Sequence, residues 1–341
     1  MEYKIDYYII ILLFTLYNLL TFFIINKNKE KFLFFLIDNP DGKRKLHSSP
    51  TLIIGGVFIA IYFFLILCYS YVLDFNTLLI ISLVSLLIFV IGVIDDLYSL
   101  SPYRKLFFIL IIILLALNFN LDLRLNSLYF STFDTFLNIG KYDFFVTSIC
   151  LLLLINSLNL SDGINGLATG IAIIWLGFAL FNASLDIKII LIPLIFLLIL
   201  IFFSIYKNSF FLGDNGSLII SSFIGMIIIL IYNQSLKQDI EIISVENIFI
   251  LFMVPGIDMF RLFTKRILQK KNPFKGDREH LHHLLILKFL LKKILFIYFG
   301  LMLFFILIDY FKIINSIYLI ITYCLIYAIL MKKLKKLNLK V

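Results

Sequence analysis

The chain has 341 residues, 62% of them hydrophobic, and a formal net charge of +9 at pH 7. Soluble domains are about 45–50% apolar, so this composition excludes an ordinary soluble globular protein and indicates one solvated mainly by lipid. The positive charge does not indicate a nucleic acid partner, because the lysines and arginines lie mostly at the ends of apolar segments, where they set membrane topology.

Eleven apolar segments follow one another along the chain, and each is long enough to cross about 30 Å of hydrocarbon as a helix. They are residues 5–25, 51–73, 77–94, 104–121, 144–160, 167–184, 187–206, 216–233, 246–264, 293–310 and 313–331. The sequence therefore predicts an all-α, polytopic integral membrane protein with about eleven transmembrane helices. Residues 1–341 are predicted to form a single membrane-embedded domain.

The distribution of basic residues predicts how these helices are oriented. The connections after the odd-numbered segments, with the adjacent helix ends, carry 23 of the 30 Lys and Arg residues, and the opposite side carries 6. Cytoplasmic loops are enriched in Lys and Arg. We therefore expect the N-terminus outside, the C-terminus in the cytoplasm, and the polar clusters described next at the cytoplasmic face.

Two adjacent carboxylates, Asp95 and Asp96, stand at the cytoplasmic end of the third segment. Like charges at a membrane face favour a bound cation, and a divalent ion with oxygen ligands suits them. The alternative is a solvated helix end, in which Arg104 and Lys105 are ordinary interface anchors.

A polar series recurs every three residues at the end of the fifth segment, at Asn156, Asn159, Asp162 and Asn165. Residues at this spacing are neighbours on a helix, and polar side chains at membrane depth usually face a site. A capped helix–turn–helix is the alternative interpretation of this series.

Three more charged residues lie close to apolar segments. Asp214 stands between glycines just before the eighth segment, as either a site residue or a helix N-cap would. Asp258 and Arg261 lie inside the ninth segment at a spacing of three residues, which also suits a structural ion pair.

Three of the chain's four histidines, His280, His282 and His283, fall within four residues after the ninth segment. This loop is also basic, which suits phosphate or pyrophosphate, and a protonated imidazole would bind either best. Zinc is the alternative. Against zinc, no cysteine lies nearby, and the other clusters offer hard oxygen ligands that suit magnesium.

Five motifs therefore occur in a fixed order along the chain. They are Asp38…Arg44-Lys45-x-His47…Pro50…Gly55-Gly56, Gly92-x-x-Asp95-Asp96, Asn156-x-x-Asn159-x-x-Asp162-Gly-x-x-Gly166-Leu, Phe211-x-Gly213-Asp214-x-Gly216-Ser217 and Pro273-Phe-x-x-Asp277-Arg278-x-His280-x-His282-His283. Together they resemble the polyprenyl-phosphate N-acetylhexosamine-1-phosphate transferases, the WecA and MraY superfamily. The last motif is similar to the WecA-like branch.

The resemblance implies a reaction in which a membrane-bound polyprenyl phosphate attacks the β-phosphorus of a UDP-sugar and UMP leaves. We expect the chain to transfer N-acetylhexosamine-1-phosphate from UDP-GlcNAc to undecaprenyl phosphate. The product would initiate cell-envelope glycan synthesis, as in cell wall or lipopolysaccharide O-antigen biosynthesis. The alternatives are a transporter or flippase of a phosphorylated or nucleotide-sugar compound, and a family member with altered sugar specificity.

The resemblance also implies roles for individual residues. The expected metal ion is Mg²⁺, with Mn²⁺ as a substitute, bound by Asp214 and Asp95. The expected catalytic residues are Asp95, Asp96, Asp162, His280, His282 and His283. The expected substrate-binding residues are Asp38, Arg44, Lys45, Asn156, Asn159, Asn165, Phe211 and Arg278.

The implied partners are the polyprenyl phosphate, the UDP-sugar and the bilayer, without nucleic acid, and a homodimer stays open. The implied location is the bacterial cytoplasmic (inner) membrane, with the active site on its cytoplasmic face. Three positions depart from the family pattern, namely Asn165 in place of Asp, Ser204 in place of Asn, and Leu52 in place of a second proline. They leave the expected metal site intact and concern sugar or nucleotide preference.

Overall fold

Helices account for most of the chain. A computed structural model describes residues 2–32, 36–38, 50–237, 242–273 and 279–338. The α-helices in these residues are α1 (Glu2–Phe32), α2 (Gly55–Val72), α3 (Asn76–Tyr98), α4 (Pro102–Phe119), α5 (Asp143–Ser161), α6 (Leu167–Asn182), α7 (Leu185–Tyr206), α8 (Gly213–Lys237), α9 (Val245–Leu268), α10 (Leu281–Ile286), α11 (Leu291–Tyr310) and α12 (Ser316–Asn338). The strands are β1 (Ile37–Asp38), β2 (Thr51–Leu52), β3 (Ser127–Phe130) and β4 (Thr135–Asn138).

The lengths of these helices match the apolar segments of the sequence. In the described part of the chain, ten helices are long and apolar enough to cross a membrane. Helix α6 is also apolar but has 16 residues, which is about 24 Å of helix. The prediction of an all-α, polytopic membrane protein is confirmed. Among the described residues, ten of the eleven predicted segments form helices of spanning length, and the segment 167–184 forms the shorter α6. The orientation of the termini stays a prediction.

The chain divides into two compact units. The first comprises Met1–Arg124 and Thr147–Ile231, and the second comprises Leu125–Val146 and Tyr232–Val341. Both are mainly helical, and each contains an antiparallel pair of short strands, β1 with β2 in the first and β3 with β4 in the second. That they act as one functional domain stays a prediction.

The core of the first unit forms around α8, whose membrane-length segment is buried throughout. Phe223 on α8 packs against Phe63 on α2, with ring centroids 4.5 Å apart. Helix α3 comes very close to the start of α8. A Cβ at Gly92 of α3 would lie only 2.5 Å from the Cα of Asn215 on α8. Only a glycine at this position lets the end of α3 meet the first turn of α8.

The second unit is built on α9, which packs against α11 and α12. Polar contacts at the first turn of α9 hold the β3–β4 hairpin, where the Glu246 carboxylate accepts the backbone N–H groups of Ser131 and Thr132 at 3.1 Å. Asn247 also donates to the Asp309 carboxylate on α11, at 2.7 Å. These bonds fix one end of α9, and the histidine loop follows its other end.

Candidate active site

The first unit gathers polar residues from the ends of four helices. Asp95 and Asp96 lie in the last turn of α3, Lys105 in the first turn of α4, Asn159 in the last turn of α5, and Asp214 in the first turn of α8. Helix ends leave backbone groups unpaired and so tolerate polar side chains. The structure thus brings together carboxylate and amide side chains that the sequence presents in three separate motifs.

Lys105 supplies positive charge to this cluster. Its Nζ lies 2.7 Å from Oδ2 of Asp95 and 3.3 Å from Oδ1 of both Asp214 and Asn159. The Asp95 and Lys105 side chains are only 6% and 15% exposed, and an ion pair shielded from water attracts more strongly. Lys105 was not among the predicted site residues. The feature of the sequence that indicates such a lysine is the excess of carboxylates in the polar clusters, because carboxylates placed close together need a cation from the chain or from solution.

Asn159 joins the end of α5 to the first turn of α8. Its side-chain amide group donates to Oδ1 of Asp214 and, at 2.9 Å, to the hydroxyl of Ser217. Since its own oxygen accepts from Lys105, every polar atom of this side chain is engaged within the cluster. Asn159 thus faces the carboxylate cluster, and its role in substrate binding stays a prediction.

The two adjacent aspartates of α3 have different surroundings. While Asp95 faces Lys105, the Asp96 carboxylate accepts the backbone N–H groups of Asp214 at 3.0 Å and Asn215 at 2.9 Å, and the Asn215 amide at 2.6 Å. A carboxylate at a helix N-terminus satisfies unpaired N–H groups and the positive end of the helix dipole. Asp96 therefore caps α8 and fixes the position of Asp214.

The turn before α8 depends on a glycine. Gly213 has φ of +76°, and a Cβ there would lie 1.9 Å from Cγ2 of Ile53. Phe211, two residues before this glycine, is bound through its backbone, donating to the Leu52 carbonyl at 2.8 Å and accepting from the Gly55 N–H at 3.0 Å. The contact of Phe211 with uracil stays a prediction.

Asp162 follows α5 in a turn close to the same carboxylates. Burial raises the pKa of its carboxyl group well above the usual range, and the nearby charges of Asp214 and Asp96 raise it further. The Gly213 backbone N–H also hydrogen bonds to this carboxyl group. A bound cation would offset the repulsion among the carboxylates.

Two further positions of the first unit, both departures from the family pattern, have hydrogen bonds of their own. Asn165 donates to the side chain of Asn208 in an exposed loop. Ser204, a second departure from the family pattern, donates to the Leu200 carbonyl within its own helix, at 2.9 Å. Asn156 is half-buried on α5, about one turn before Asn159. These departures do not touch the carboxylates around Lys105.

Some predicted residues lie partly or wholly outside the described residues. Arg44, Lys45 and Arg278 belong to the undescribed part of the chain, so their predicted roles stay predictions. The backbone of Asp38 is described, and it pairs with Thr51 in the β1–β2 ladder.

The second unit holds a separate polar network centred on Asp258 of α9. Oδ2 of Asp258 lies 2.8 Å from Nδ1 of His280, and the Leu281 backbone N–H donates to both carboxylate oxygens at 3.1 and 3.2 Å. Oδ1 also accepts from Arg261 at 2.9 Å and from the hydroxyl of Tyr327. The expected Asp258–Arg261 pair is therefore present, and it also holds the histidine loop.

The three histidines have packed rings. The rings of His280 and His282 stack with centroids 5.5 Å apart, and those of His282 and His283 lie 4.3 Å apart. His282 is 1% exposed, and burial, together with its two histidine neighbours, lowers the pKa of its ring well below the usual range. The ring of His282 is therefore neutral at neutral pH, and its protonation in contact with a phosphate stays a prediction.

The first unit offers ligands that fit magnesium. Among the described residues, no group of three or more His, Cys, Asp or Glu side chains is placed to hold a metal ion. Magnesium, however, usually takes one or two carboxylates and completes its shell with water and substrate phosphates. Asp95 and Asp214 supply such a pair, since both already contact one ammonium group. This donor set fits an ion that binds together with a phosphorylated substrate.

Comparison with known proteins gives one family. A model described as "Glycosyl transferase family 4" matches residues 78–232, a range that contains Asp95, Lys105, Asp162 and Asp214. The chain is similar to a probable undecaprenyl-phosphate N-acetylglucosaminyl 1-phosphate transferase of Bacillus subtilis, with 27% identity over 252 residues, 72% of this chain and 68% of the relative. It is also similar to undecaprenyl-phosphate alpha-N-acetylglucosaminyl 1-phosphate transferases of Yersinia pestis (26% identity; 73% and 69% covered) and Salmonella typhi (27%; 80% and 75%).

Proposed function

We propose that this chain, which belongs to glycosyl transferase family 4 and to its WecA-like branch, transfers GlcNAc-1-phosphate from UDP-GlcNAc to undecaprenyl phosphate. An oxygen of the lipid phosphate attacks the β-phosphorus of the donor, the bond from that phosphorus to the bridging oxygen breaks, and UMP leaves with the oxygen. The lipid-diphosphate-linked sugar stays in the membrane. It then serves as the starting unit of a cell-envelope glycan.

The observation that carries this proposal is the shared contact of Asp95 and Asp214 with Lys105, at the ends of membrane-length helices. Both substrates are anionic, so a site of carboxylates alone would repel them. Lys105 offsets part of that charge, and a magnesium ion held by Asp95 and Asp214 would neutralise charge that develops on the phosphates. Asp96 keeps Asp214 in place by capping α8.

The lipid phosphate needs little activation by the protein. A phosphate monoester has a second pKa of about 6, so most of the lipid phosphate is already a dianion at neutral pH. Asp95 is then best suited to orient the attacking phosphate, or to accept its remaining proton, without a covalent intermediate on the enzyme. We favour this direct attack over a double displacement through a carboxylate.

We further propose that the site faces the cytoplasm from the bacterial inner membrane, with the N-terminus outside and the C-terminus inside. The support is the sequence count of basic residues, 23 on one side and 6 on the other. UDP-sugars are water-soluble, so a site at the membrane surface lets one substrate arrive from water and the other from the bilayer.

The direct test is an assay of the purified protein in lipid nanodiscs with undecaprenyl phosphate, Mg²⁺ and UDP-GlcNAc. UMP and lipid-linked GlcNAc should form in equal amounts, stop when a chelator is added, and resume when Mg²⁺ or Mn²⁺ is restored. UDP-GalNAc and UDP-glucose, tested in parallel, measure sugar preference. A transporter or flippase would give no UMP, and this result would refute the proposal.

A further inference from the structure

The lysines at the start of α11 carry an inference that goes beyond the proposed function. We propose that Lys292 and Lys293, with Leu290 and Phe296, form a binding site for one anionic phospholipid of the surrounding bilayer. The two ammonium groups bind the lipid phosphate, and the two apolar side chains line the upper part of an acyl chain. None of these four residues belongs to the five motifs of the sequence.

The four residues line one cavity at the surface of the second unit. Its volume is about 340 Å³, within the range of about 300–1,000 Å³ that is usual for small-molecule sites. All four residues are exposed, Leu290 at 84% and Phe296 at 77%. A cavity that combines cationic and apolar side chains suits a ligand that has both a charged group and a hydrocarbon chain.

The order of these residues along α11 matches the order of groups in a phospholipid. Helix α11 is long and apolar enough to cross a membrane, and the first turn of such a helix lies near the lipid head groups. Residues three and four apart are neighbours on a helix. Phe296 therefore shares a face with Lys292 and Lys293 and lies about one turn deeper, where the acyl chains begin.

The charge of this segment favours an anionic lipid over a zwitterionic one. Between Glu279 and Asp309 the sequence has no acidic residue, whereas Lys288, Lys292 and Lys293 are basic. Basic residues beside a membrane-spanning helix attract anionic lipids. A zwitterionic head group would bring its own positive charge next to the two lysines of the cavity, and an anionic head group would not.

Basic residues at helix ends also set membrane topology. That role requires only positive charge on one side of the membrane, and any exposed lysine can supply it. It requires neither a cavity nor an exposed aromatic ring one turn below two adjacent lysines. A binding site therefore differs from a topology signal in having a preference for one class of lipid at one place on the surface.

A tryptophan reporter in the cavity measures this preference. The variant is Phe296→Trp in a Trp175→Phe background, since Trp175 is the only tryptophan of the chain. In bilayers, brominated phosphatidylglycerol and brominated phosphatidylcholine quench a tryptophan that they contact. Phosphatidylglycerol should bind at the reporter at least about 5-fold more strongly, the contribution of one basic residue near anionic lipid. Equal binding of the two lipids would overturn the inference.

Matched pairs of lysine substitutions show whether the preference belongs to the cavity. Lys292→Gln combined with Lys293→Gln should abolish it. Lys270→Gln combined with Lys271→Gln removes the same charge from two other exposed lysines and should leave the preference unchanged. An equal loss in the two double variants would mean that the lipid responds only to the overall positive charge, and this result would overturn the site.

A second reporter and a competing lipid define the place and the occupant. Phe304→Trp puts the reporter at another exposed position of α11, about two turns further along, and should show no preference. Undecaprenyl phosphate without bromine should relieve the quenching at Phe296→Trp no better than unbrominated phosphatidylglycerol does. Relief at a much lower amount would assign the cavity to the polyprenyl phosphate and overturn the proposed occupant.

Native mass spectrometry gives the same test if the Trp175→Phe background does not fold. The full chain, without a reporter, should retain one phosphatidylglycerol more than the Lys292→Gln, Lys293→Gln double variant. Equal retention would overturn the inference. No turnover is measured in any of these experiments, so their failure would leave the proposed function standing, and absence of UMP release would leave the lipid site standing.

Discussion

Nζ of Lys105 lies 2.7 Å from Oδ2 of Asp95, and the same ammonium group contacts Asp214 at 3.3 Å. The lysine therefore links the two carboxylates that the sequence predicts as metal ligands. In the proposed reaction, it contributes a fixed positive charge beside two anionic substrates. Its removal would leave the carboxylates to repel each other and the incoming phosphates.

We expect Lys105→Met to lower UMP release by at least about 10²-fold, the effect of removing one preorganised donor from a developing negative charge. The matched control is Arg104→Met, which removes the neighbouring positive charge from an exposed position and should change the rate little. Thermal unfolding in detergent shows whether each variant is folded. Normal turnover by folded Lys105→Met would limit this lysine to a structural role.

The different surroundings of Asp95 and Asp96 lead to a second prediction. Asp95→Asn and Asp214→Asn should each lose at least about 10²-fold in rate, and both should insert and fold. Asp96→Asn should lose activity and also lower the free energy of unfolding by about 0.5–2 kcal/mol, as the loss of a helix cap does. Its amide group would face the N–H donors of Asp214 and Asn215.

Comparing the unfolding temperatures of Asp95→Asn and Asp96→Asn checks this distinction, with Asp122→Asn as the control. Asp122 is an exposed carboxylate after α4, away from the cluster in sequence. If Asp95→Asn were the less stable of the two site variants, the assignment of Asp96 as the cap of α8 would be wrong.

Much of the fold follows from the sequence, because uninterrupted apolar segments of about 20 residues have few alternatives to a transmembrane helix. The site could be predicted only as a set of polar clusters. Neighbouring residues on a helix point about 100° apart, so the different roles of Asp95 and Asp96 depend on where α4 and α8 begin. The sequence alone does not fix those positions.

The sequence also does not predict contacts between side chains that a loop separates along the chain. Asp258 and Arg261, three residues apart, suggest a pair by helical spacing alone. The approach of His280, 22 residues further along the chain from Asp258, depends on how the loop returns to α9. The same holds for Tyr327, which reaches this carboxylate from α12.

The predicted topology can be tested with single cysteines. In a variant in which Cys68, Cys150 and Cys324 are replaced, Ser131→Cys should react with a membrane-impermeant maleimide from outside the cell. Asn272→Cys should react only after the membrane is opened. Both positions are exposed, so the lipid bilayer and not the protein decides access. Labelling of both from one side would contradict the orientation inferred from the basic residues.

The buried ring of His282 leads to a prediction about pH. Burial, with His283 and His280 nearby, lowers the pKa of this ring in the folded protein, and Asp258 offsets only part of that effect. In an unfolded chain, the pKa of histidine is about 6.5. Below that pH the unfolded chain binds a proton at this histidine, whereas the folded protein does not. The free energy of unfolding therefore has its full value above about pH 6.5 and decreases as the pH is lowered.

Wild-type protein in detergent should thus unfold at a lower temperature at pH 5.5 than at pH 7.5, since one such group contributes about 1.4 kcal/mol per pH unit below the unfolded-state pKa. His282→Gln, which cannot titrate, should show a smaller difference between the two pH values. His283→Gln keeps the His282 ring and should retain most of the wild-type difference. An unchanged difference in His282→Gln would mean that another group causes the loss of stability in acid. A larger difference in the wild type than one histidine supplies would point to further buried groups that take up protons on unfolding.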